Sequence, residues 1–415
     1  MGLRLEDVVR SHWWHAVGSV ARATGGDLQT AEDSVQEACV AAVKQWGADG
    51  TPDNPLAWIV NVAKRRALDN LRREAKRSDK EHSAALQALV ATGDTNQVRD
   101  DDLALIFMCC HPALDPAIQV ALTLRSVCGL SVKEIAAGFL VPELTMAKRL
   151  VRGRSKIRQS GIRFKVPLGE QFNNRLPYVF KVIQLVFNAG YVASAGDDLV
   201  RPDLCLASMG LARALAELLP GQPEPLGLLA MLLLTDARRP ARTDAVGDLV
   251  LLEDQDRSLW NKAQIDEGVR VLDDALALQA PGPYQLQAAI AACHSTAANA
   301  EATDWRQIAL LYGEWLRYEA SPVIEANRAV AVAMAEGPVA GLVILEALRK
   351  DPQMESWYPL HIARGDLLKR AGRFPEATDA YRLALELEPN PAERRFVLKR
   401  VSQLEMANAP GEPDN

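Results

Sequence analysis

Cysteine is scarce, six residues in 415. No Cys-x-x-Cys pair occurs. That is too few for a disulfide scaffold, and a reducing cytoplasm is the expected setting. Long apolar runs are missing as well. The longest, Leu226 to Leu234, falls well short of the about 20 residues a membrane helix needs. The start of the chain carries Glu6 and Asp7 where a signal peptide would be apolar. Glu6 also stands where a myristoylation site calls for Ser or Thr. No membrane association is expected. The chain shows no phosphate-binding loop, dinucleotide loop or nucleophile with its base. His12, His15, His82, His111, His294 and His361 are scattered and suggest no metal or acid–base set. The expectation is a protein that is not an enzyme and holds no cofactor or metal. An enzyme housed in residues 170–300 would need chemistry the sequence does not supply.

What is present is helical and unevenly charged. Apolar residues make up 48% and charged residues 24%, the balance of a soluble globular chain. Nearly every long segment repeats with a helical period, and strand-like alternation never persists. The fold class expected is all-α. The net charge of -6 conceals two halves. Residues 1–166 carry 23 Lys+Arg against 19 Asp+Glu, and the remainder is strongly acidic. A basic front and an acidic back suggest an anion-binding module joined to something else.

Two segments carry the cations. In Pro55–Arg73, Leu56, Ile59, Val60, Ala63, Ala67 and Leu71 share one helical arc. Trp58, Asn61, Lys64, Arg65, Asp69, Arg72 and Lys76 occupy the other. Cations, an amide and a large aromatic suit phosphate contact and base stacking; a solvated basic face with Trp58 at the core's edge is the alternative. Upstream, Glu32, Asp33, Gln36 and Glu37 make one side of a helix acidic, while Ala31, Val35, Ala38 and Ala42 recur on another. A turn-rich loop, Gly47 to Pro55, joins the two helices. The second segment begins at a capping box, Ser131 to Glu134, followed by a short turn ending at Pro142, placed at the first helical position. The next helix is read with Leu144, Ala147, Leu150, Val151 and Ile157 on the buried face. Thr145, Lys148, Arg149, Arg152, Ser155 and Lys156 fall on the other. This is a helix-turn-helix whose second helix suits a major groove, or else an ordinary basic helical hairpin.

In this order and spacing the motifs resemble an extracytoplasmic-function (ECF) sigma factor of bacterial RNA polymerase, over about residues 5–165. Ala31–Glu37 is similar to the family's region-two helix, which docks on the polymerase clamp. The string Gly26-Asp27-Leu28-Gln29-Thr30-Ala31 before it departs slightly from the family pattern. Trp58–Arg73 resembles the helix that melts and reads the -10 element. Ser131–Arg158 resembles region four, whose second helix reads the -35 element. The resemblance implies core polymerase contact through Glu32, Asp33, Gln36 and Glu37. It implies -10 contact through Asp53, Asn54, Trp58, Asn61, Lys64, Arg65 and Arg72. It implies -35 contact through Thr145, Lys148, Arg149, Arg152, Ser155 and Lys156. The competing reading is a polymerase-independent helix-turn-helix regulator with a tetratricopeptide sensor, which has no need of the first block.

The chain runs about 250 residues beyond a minimal family member. Segments such as Val186–Tyr191, Leu234–Arg242, Leu252–Arg257 and Gly282–Ala288 resemble the subgroup whose long helical extension ends in tetratricopeptide-like repeats. That subgroup is often encoded beside small YCII-type proteins and usually lacks a dedicated anti-sigma factor. Gly365, Gly372, Ala377, Tyr381, Ala384 and Pro389 independently fit one 34-residue unit; Ala326–Pro352 fits loosely. The expected organisation is region two over 1–80, a linker over 81–102, region four over 103–166, a helical extension over 167–320, a repeat region over 321–405 and a tail over 406–415. Core polymerase and promoter DNA are the expected partners. Contact between the extension and the sigma blocks, and a regulatory protein, are further candidates. Cys109-Cys110-His111 is read as buried helix packing, before redox sensing or metal binding. The charges Asp236, Arg238, Arg239, Arg242, Glu253, Asp254, Asp256 and Arg257 are read as an ion-pair network or a sensing pocket.

Overall fold

The computed structural model describes residues 5–75, 95–139, 141–191, 202–244, 248–389 and 391–408. Among these it is all-α. One isolated bridge, Thr243 to Leu249, is the only β pairing among them. The chain forms two compact units. The first comprises Met1–Ala189 with Leu206–Leu218, and the second Gly190–Cys205 with Leu219–Asn415. The division thus falls after Ala189, whereas the sequence had suggested Pro167.

In the first unit, α1 (Leu5–Ala23), α2 (Leu28–Asp49) and α3 (Pro55–Ala75) pack on one another. Asp27 starts α2 by accepting from the Gln29 and Thr30 amides at 3.1 and 3.3 Å. Gly25 and Gly26 take the positive φ that the preceding turn needs. Asn54 starts α3 by accepting from the Ala57 amide at 2.9 Å, with Pro55 preset for the first turn. The core between these helices combines Val17, Val20, Leu28, Val35 and Ile59 with small side chains, Ala16, Ala31, Ala38, Ala42, Ala63 and Ala67, which let backbones come close.

The helix α4 runs Thr95–Cys109. The acid run at the end of the segment expected as a linker or loose helix lies in this helix. Asp101 and Asp102 are buried against α1, and residues 81–94 of that linker lie outside the described residues. The following α5 (Pro116–Leu122) runs into a π-helical turn over Thr123–Val127. Then come α6 (Val132–Gly138) and α7 (Glu143–Gln159). The capping box forms: Ser131 Oγ accepts from the Glu134 amide at 3.2 Å, and Glu134 accepts from the Ser131 amide at 2.7 Å. Pro142 caps α7 from outside, so the first helical residue is Glu143. Gly153 sets the approach of α7 to α5, since a Cβ there would lie 2.6 Å from Ile118 Cγ2. Cys109 and Cys110 are buried, the latter beside Thr123 Oγ1 at 3.5 Å. The unit is completed by α8 (Glu170–Tyr191) up to Ala189 and α9 (Pro202–Leu218) from Leu206. Phe172 and Arg175 of α8 lie against Phe107, with centroids 5.2 Å apart for the two phenyl rings.

The second unit is built on α10 (Pro223–Asp236), which holds the long apolar run and is buried nearly all round. Its neighbours are α11 (Lys262–Ala277) and α12 (Pro283–Thr296). Glu224 accepts from the Tyr284 and Gln285 amides at the start of α12, a negative charge where the helix dipole favours one. There follow α13 (Trp305–Tyr318), α14 (Pro322–Glu336), α15 (Pro338–Leu348), the single turn α16 (Pro352–Glu355), α17 (Tyr358–Arg370), α18 (Phe374–Glu386) and α19 (Pro391–Asn408). Gly365 lies under the Tyr381 ring, where a Cβ would be 2.7 Å from Cε1. The α14–α15 pair is equally close, since a Cβ at Gly341 would lie 2.4 Å from the Ala329 carbonyl oxygen. The loosely fitting stretch is thus a tight helix pair too. Helix α19 continues to Asn408, so residues 406–408, expected in the tail, are helical, and residues 409–415 lie outside the described residues.

Candidate nucleic-acid interface

Helix α7 buries Met146, Leu150, Gly153 and Ile157. At 100° per residue these lie within one narrow arc, and the direction opposite them carries Leu144, Lys148, Val151, Arg152 and Ser155. Thr145, Lys148, Arg152 and Lys156 are exposed. Ser155 is half-buried and accepts from Gln159 Nε2 at 3.1 Å. Arg149 is half-buried too, its guanidinium 5.4 Å from the Phe139 ring centroid. The buried face is rotated from the expected one. Leu144 and Val151, read as core, are 67% and 60% exposed. The cause is local: Gly153 docks on α5 and fixes the rotation of α7, so the chain's apolar sum at 144 and 151 does not decide which face turns inward.

Helix α3 buries Ile59, Ala63, Ala67 and Leu68. Asn61 and Arg65 are exposed, as are Asp53 and Asn54 in the loop before it. Trp58 is half-buried, its ring edge-on to Trp46 with centroids 5.3 Å apart. Arg72 lies on α3, but its side chain is outside the described residues. Lys64 differs from expectation. It is 5% exposed, because it sits one turn after Val60 and one before Ala67 on the stripe that meets α1. Burial, with Arg22 nearby, pushes its pKa down, and Asp101 opposes this.

The acidic side of α2 also divides. Asp33, Gln36 and Glu37 are exposed. Asp33 accepts from Gln29 Nε2 at 2.7 Å, and Glu37 from Arg66 Nη1 at 2.7 Å. Glu32, expected beside them on the surface, is 1% exposed. It accepts from Ser126 Oγ at 2.5 Å, pairs with Arg154 of α7 and lies 3.5 Å from Arg125 Nε. Residues Arg125, Ser126 and Arg154 were not singled out in the sequence. The signal was there in part: Glu32 is four residues after Leu28 and three before Val35, on the buried stripe of α2. What it would meet was not legible.

Further pairs hold the same two blocks together. His15 Nδ1 is 2.6 Å from Asp102 Oδ2, Arg22 Nε is 3.1 Å from Asp101 Oδ1, and Trp13 Nε1 donates to the Ser126 carbonyl at 3.2 Å. Burial raises the pKa of Asp101 to about 6, against the pull of Arg22, and that of Asp102 upward against His15.

Residues 12–77 match the Sigma-70 region 2 family, and residues 104–157 match Sigma-70 region 4. A probable ECF RNA polymerase sigma factor SigI of Mycobacterium tuberculosis is 28% identical over 143 residues, 33% of this chain and 49% of that protein. The chain belongs to the ECF-type sigma factors with a C-terminal extension. Beyond the two sigma regions, residues 175–276 of this sigma factor match a family of unknown function, DUF6596. Similarity over nearly the full length is found with an uncharacterized protein, R00370, of Rhizobium meliloti. It is 41% identical over 385 residues, covering 91% of this sigma factor and 90% of the relative. A tetratricopeptide domain of P58(IPK) aligns over 97% of the sigma factor and 99% of that chain. Its TM-score is 0.25 and its identity 13%, too low to carry an argument. No described helix of the sigma factor is long and apolar enough to cross a membrane.

Proposed function

We infer that this chain acts in transcription initiation, a reading supported by its two sigma regions, which indicate a family of non-enzymatic factors. We propose that it binds core RNA polymerase, reads a -35 element through α7 and a -10 element through α3, and supports opening of the duplex. The observation that carries this is the outward face of α7, where Lys148 and Arg152 stand exposed opposite the buried Met146, Leu150 and Ile157, with Thr145 exposed at its edge. A rigidly seated helix with cations on its open face is what a major-groove reader needs. Lys156 flanks that face for phosphate contact, half-buried Ser155 lies on it, and Arg149 supports it from the side.

For the -10 element, Asp53, Asn54, Asn61 and Arg65 offer exposed polar groups along α3 and its entry loop. Half-buried Trp58 offers one ring edge beside them. Extruding a base costs a few kcal/mol, which stacking and hydrogen bonds must offset. Asp33, Gln36 and Glu37 form the open part of the polymerase-docking side. Glu32 and Lys64 join these surfaces only when the contacts between α2, α1 and the α4–α7 block open. The extension regulates that opening in this proposal, and the seating of α8 on Phe107 gives it a point of attachment within the first unit.

The test is run-off transcription with core polymerase on DNA selected by the reconstituted holoenzyme. Lys148→Ala with Arg152→Ala abolishes specific transcripts and leaves core binding intact. Asp33→Lys with Glu37→Lys weakens core binding. A chain that binds selected DNA equally well without polymerase, and never yields transcripts with it, is instead a polymerase-independent regulator.

A further inference from the structure

The charged cluster at residues 236–257 splits in the folded second unit. Asp236 and Arg239 pair at 2.9 Å, Gln264 donates to Asp236, and Arg242 lies over the Tyr191 ring. These charges hold helices together. Glu253, Asp254 and Arg257 instead line a cavity of about 720 Å³. Val330 and Met334 of α14, with Ile362, Ala363 and Leu367 of α17, give it an apolar wall. Trp305 stands on another side, its ring edge-on to His294 with centroids 5.1 Å apart. Small-molecule sites have this size and this mixture of apolar wall and few polar groups.

Charge decides the class of guest. Five carboxyls line the cavity, Glu253, Asp254, Glu301, Asp366 and Glu393, against two guanidiniums, Arg257 and Arg370. Asp366 accepts from Tyr381 and is raised in pKa by burial, and Glu393 accepts from Tyr358, so the open negative charge lies mainly with Asp254 and Glu301. Both guanidiniums are committed. Arg257 donates to the carbonyls of His294 and Ala297 at 2.8 and 2.6 Å and lies 4.5 Å from the Trp260 ring centroid. Arg370 pairs with Glu253. His294 adds no competing cation: burial, then Arg238 and Arg257, lower its pKa to about 4. Its Nδ1 is buried without a hydrogen-bond partner. An anion entering here would lose hydration and meet surplus negative charge. A cation with an apolar body would bury that body and answer the surplus.

We propose that this cavity binds a small organic cation, its apolar body against α14, α17 and Trp305 and its positive group toward Asp254 and Glu301. The site goes beyond the transcription reading and does not depend on it. Rhodamine 6G, an aromatic cation, serves as probe on the full-length chain, with fluorescein as an anionic dye of similar ring system. Fluorescence anisotropy shows saturable one-to-one binding of rhodamine 6G and none of fluorescein. Exposed Asp254 and Glu301, changed to Asn and Gln together, weaken rhodamine 6G at least tenfold while thermal unfolding stays put. Ala363→Trp, which fills the cavity, removes binding, and Ala363→Ser retains it. Absence of saturable rhodamine 6G binding overturns the proposal. So does equal binding of fluorescein, or an affinity indifferent to both the charge and the filling variants.

Discussion

Glu32 is a buried carboxylate of the first unit that answers two guanidiniums. It is 1% exposed and shared by Arg154 and Arg125, whose side chains are 12% and 10% exposed, and by Ser126. Glu32→Met keeps the volume near constant and removes the charge. Two guanidiniums are then left at low exposure without a counter-charge, which costs about 3–5 kcal/mol. Arg154→Met costs less, because Arg125 and Ser126 still answer the carboxylate. The double variant leaves one fewer unpaired charge than the singles imply. The coupling between Glu32 and Arg154 is therefore at least about 1.5 kcal/mol, near the middle of the range for contacting residues. Because the chain has two compact units, a single global unfolding signal mixes them. Hydrogen exchange of α2 and α7 amides under native conditions isolates the junction. Glu32→Met is expected to speed exchange in both helices together and to leave α17 and α18 unchanged. A cost below about 1 kcal/mol, or additive single and double variants, refutes the reasoning.

Leu144 and Val151 flank Lys148 on the open face of α7, so in the proposed reading of a -35 element they are expected to meet thymine methyl groups. Replacing thymine by uracil in the selected -35 site is expected to weaken wild-type holoenzyme several-fold and a Leu144→Ala/Val151→Ala variant hardly at all, read by competition binding. Gly365→Val forces a branched side chain against the buried Tyr381 ring. A loss of about 3 kcal/mol is expected from overpacking, and Gly365→Ala falls between, both by urea unfolding followed through the second unit. His294 has a folded pKa of about 4 against the ordinary 6.5. Between those values the unfolded chain holds the proton and the folded one does not, so the second unit loses stability as pH falls from about 6.5 to about 4. His294→Gln flattens that slope, and an imidazole resonance titrating near 6.5 in the folded wild type contradicts the assignment.

Local grammar was legible from residues alone. The helical period, the Ser131–Glu134 box and the Gly365–Tyr381 spacing each act within a turn or between adjacent helices. Short-range geometry determines them, and the structure carries each one. The family resemblance was likewise carried by ordered short motifs. Which face of a helix turns inward is a different kind of question. On α7 both Leu144 and Leu150 are leucines, yet only Leu150 is buried, because Gly153 meets Ile118 and Leu122 on α5. Glu32 and Lys64 were read as surface by their charge, yet both are buried because partners more than 90 positions away for Glu32, and Arg22 and Asp101 for Lys64, lie where they fold. Asp101 and Asp102 looked like linker for the same reason. The residue type states that a charge needs a partner or water. Only the tertiary structure decides which it gets, since a buried partner remote in sequence leaves no periodic trace.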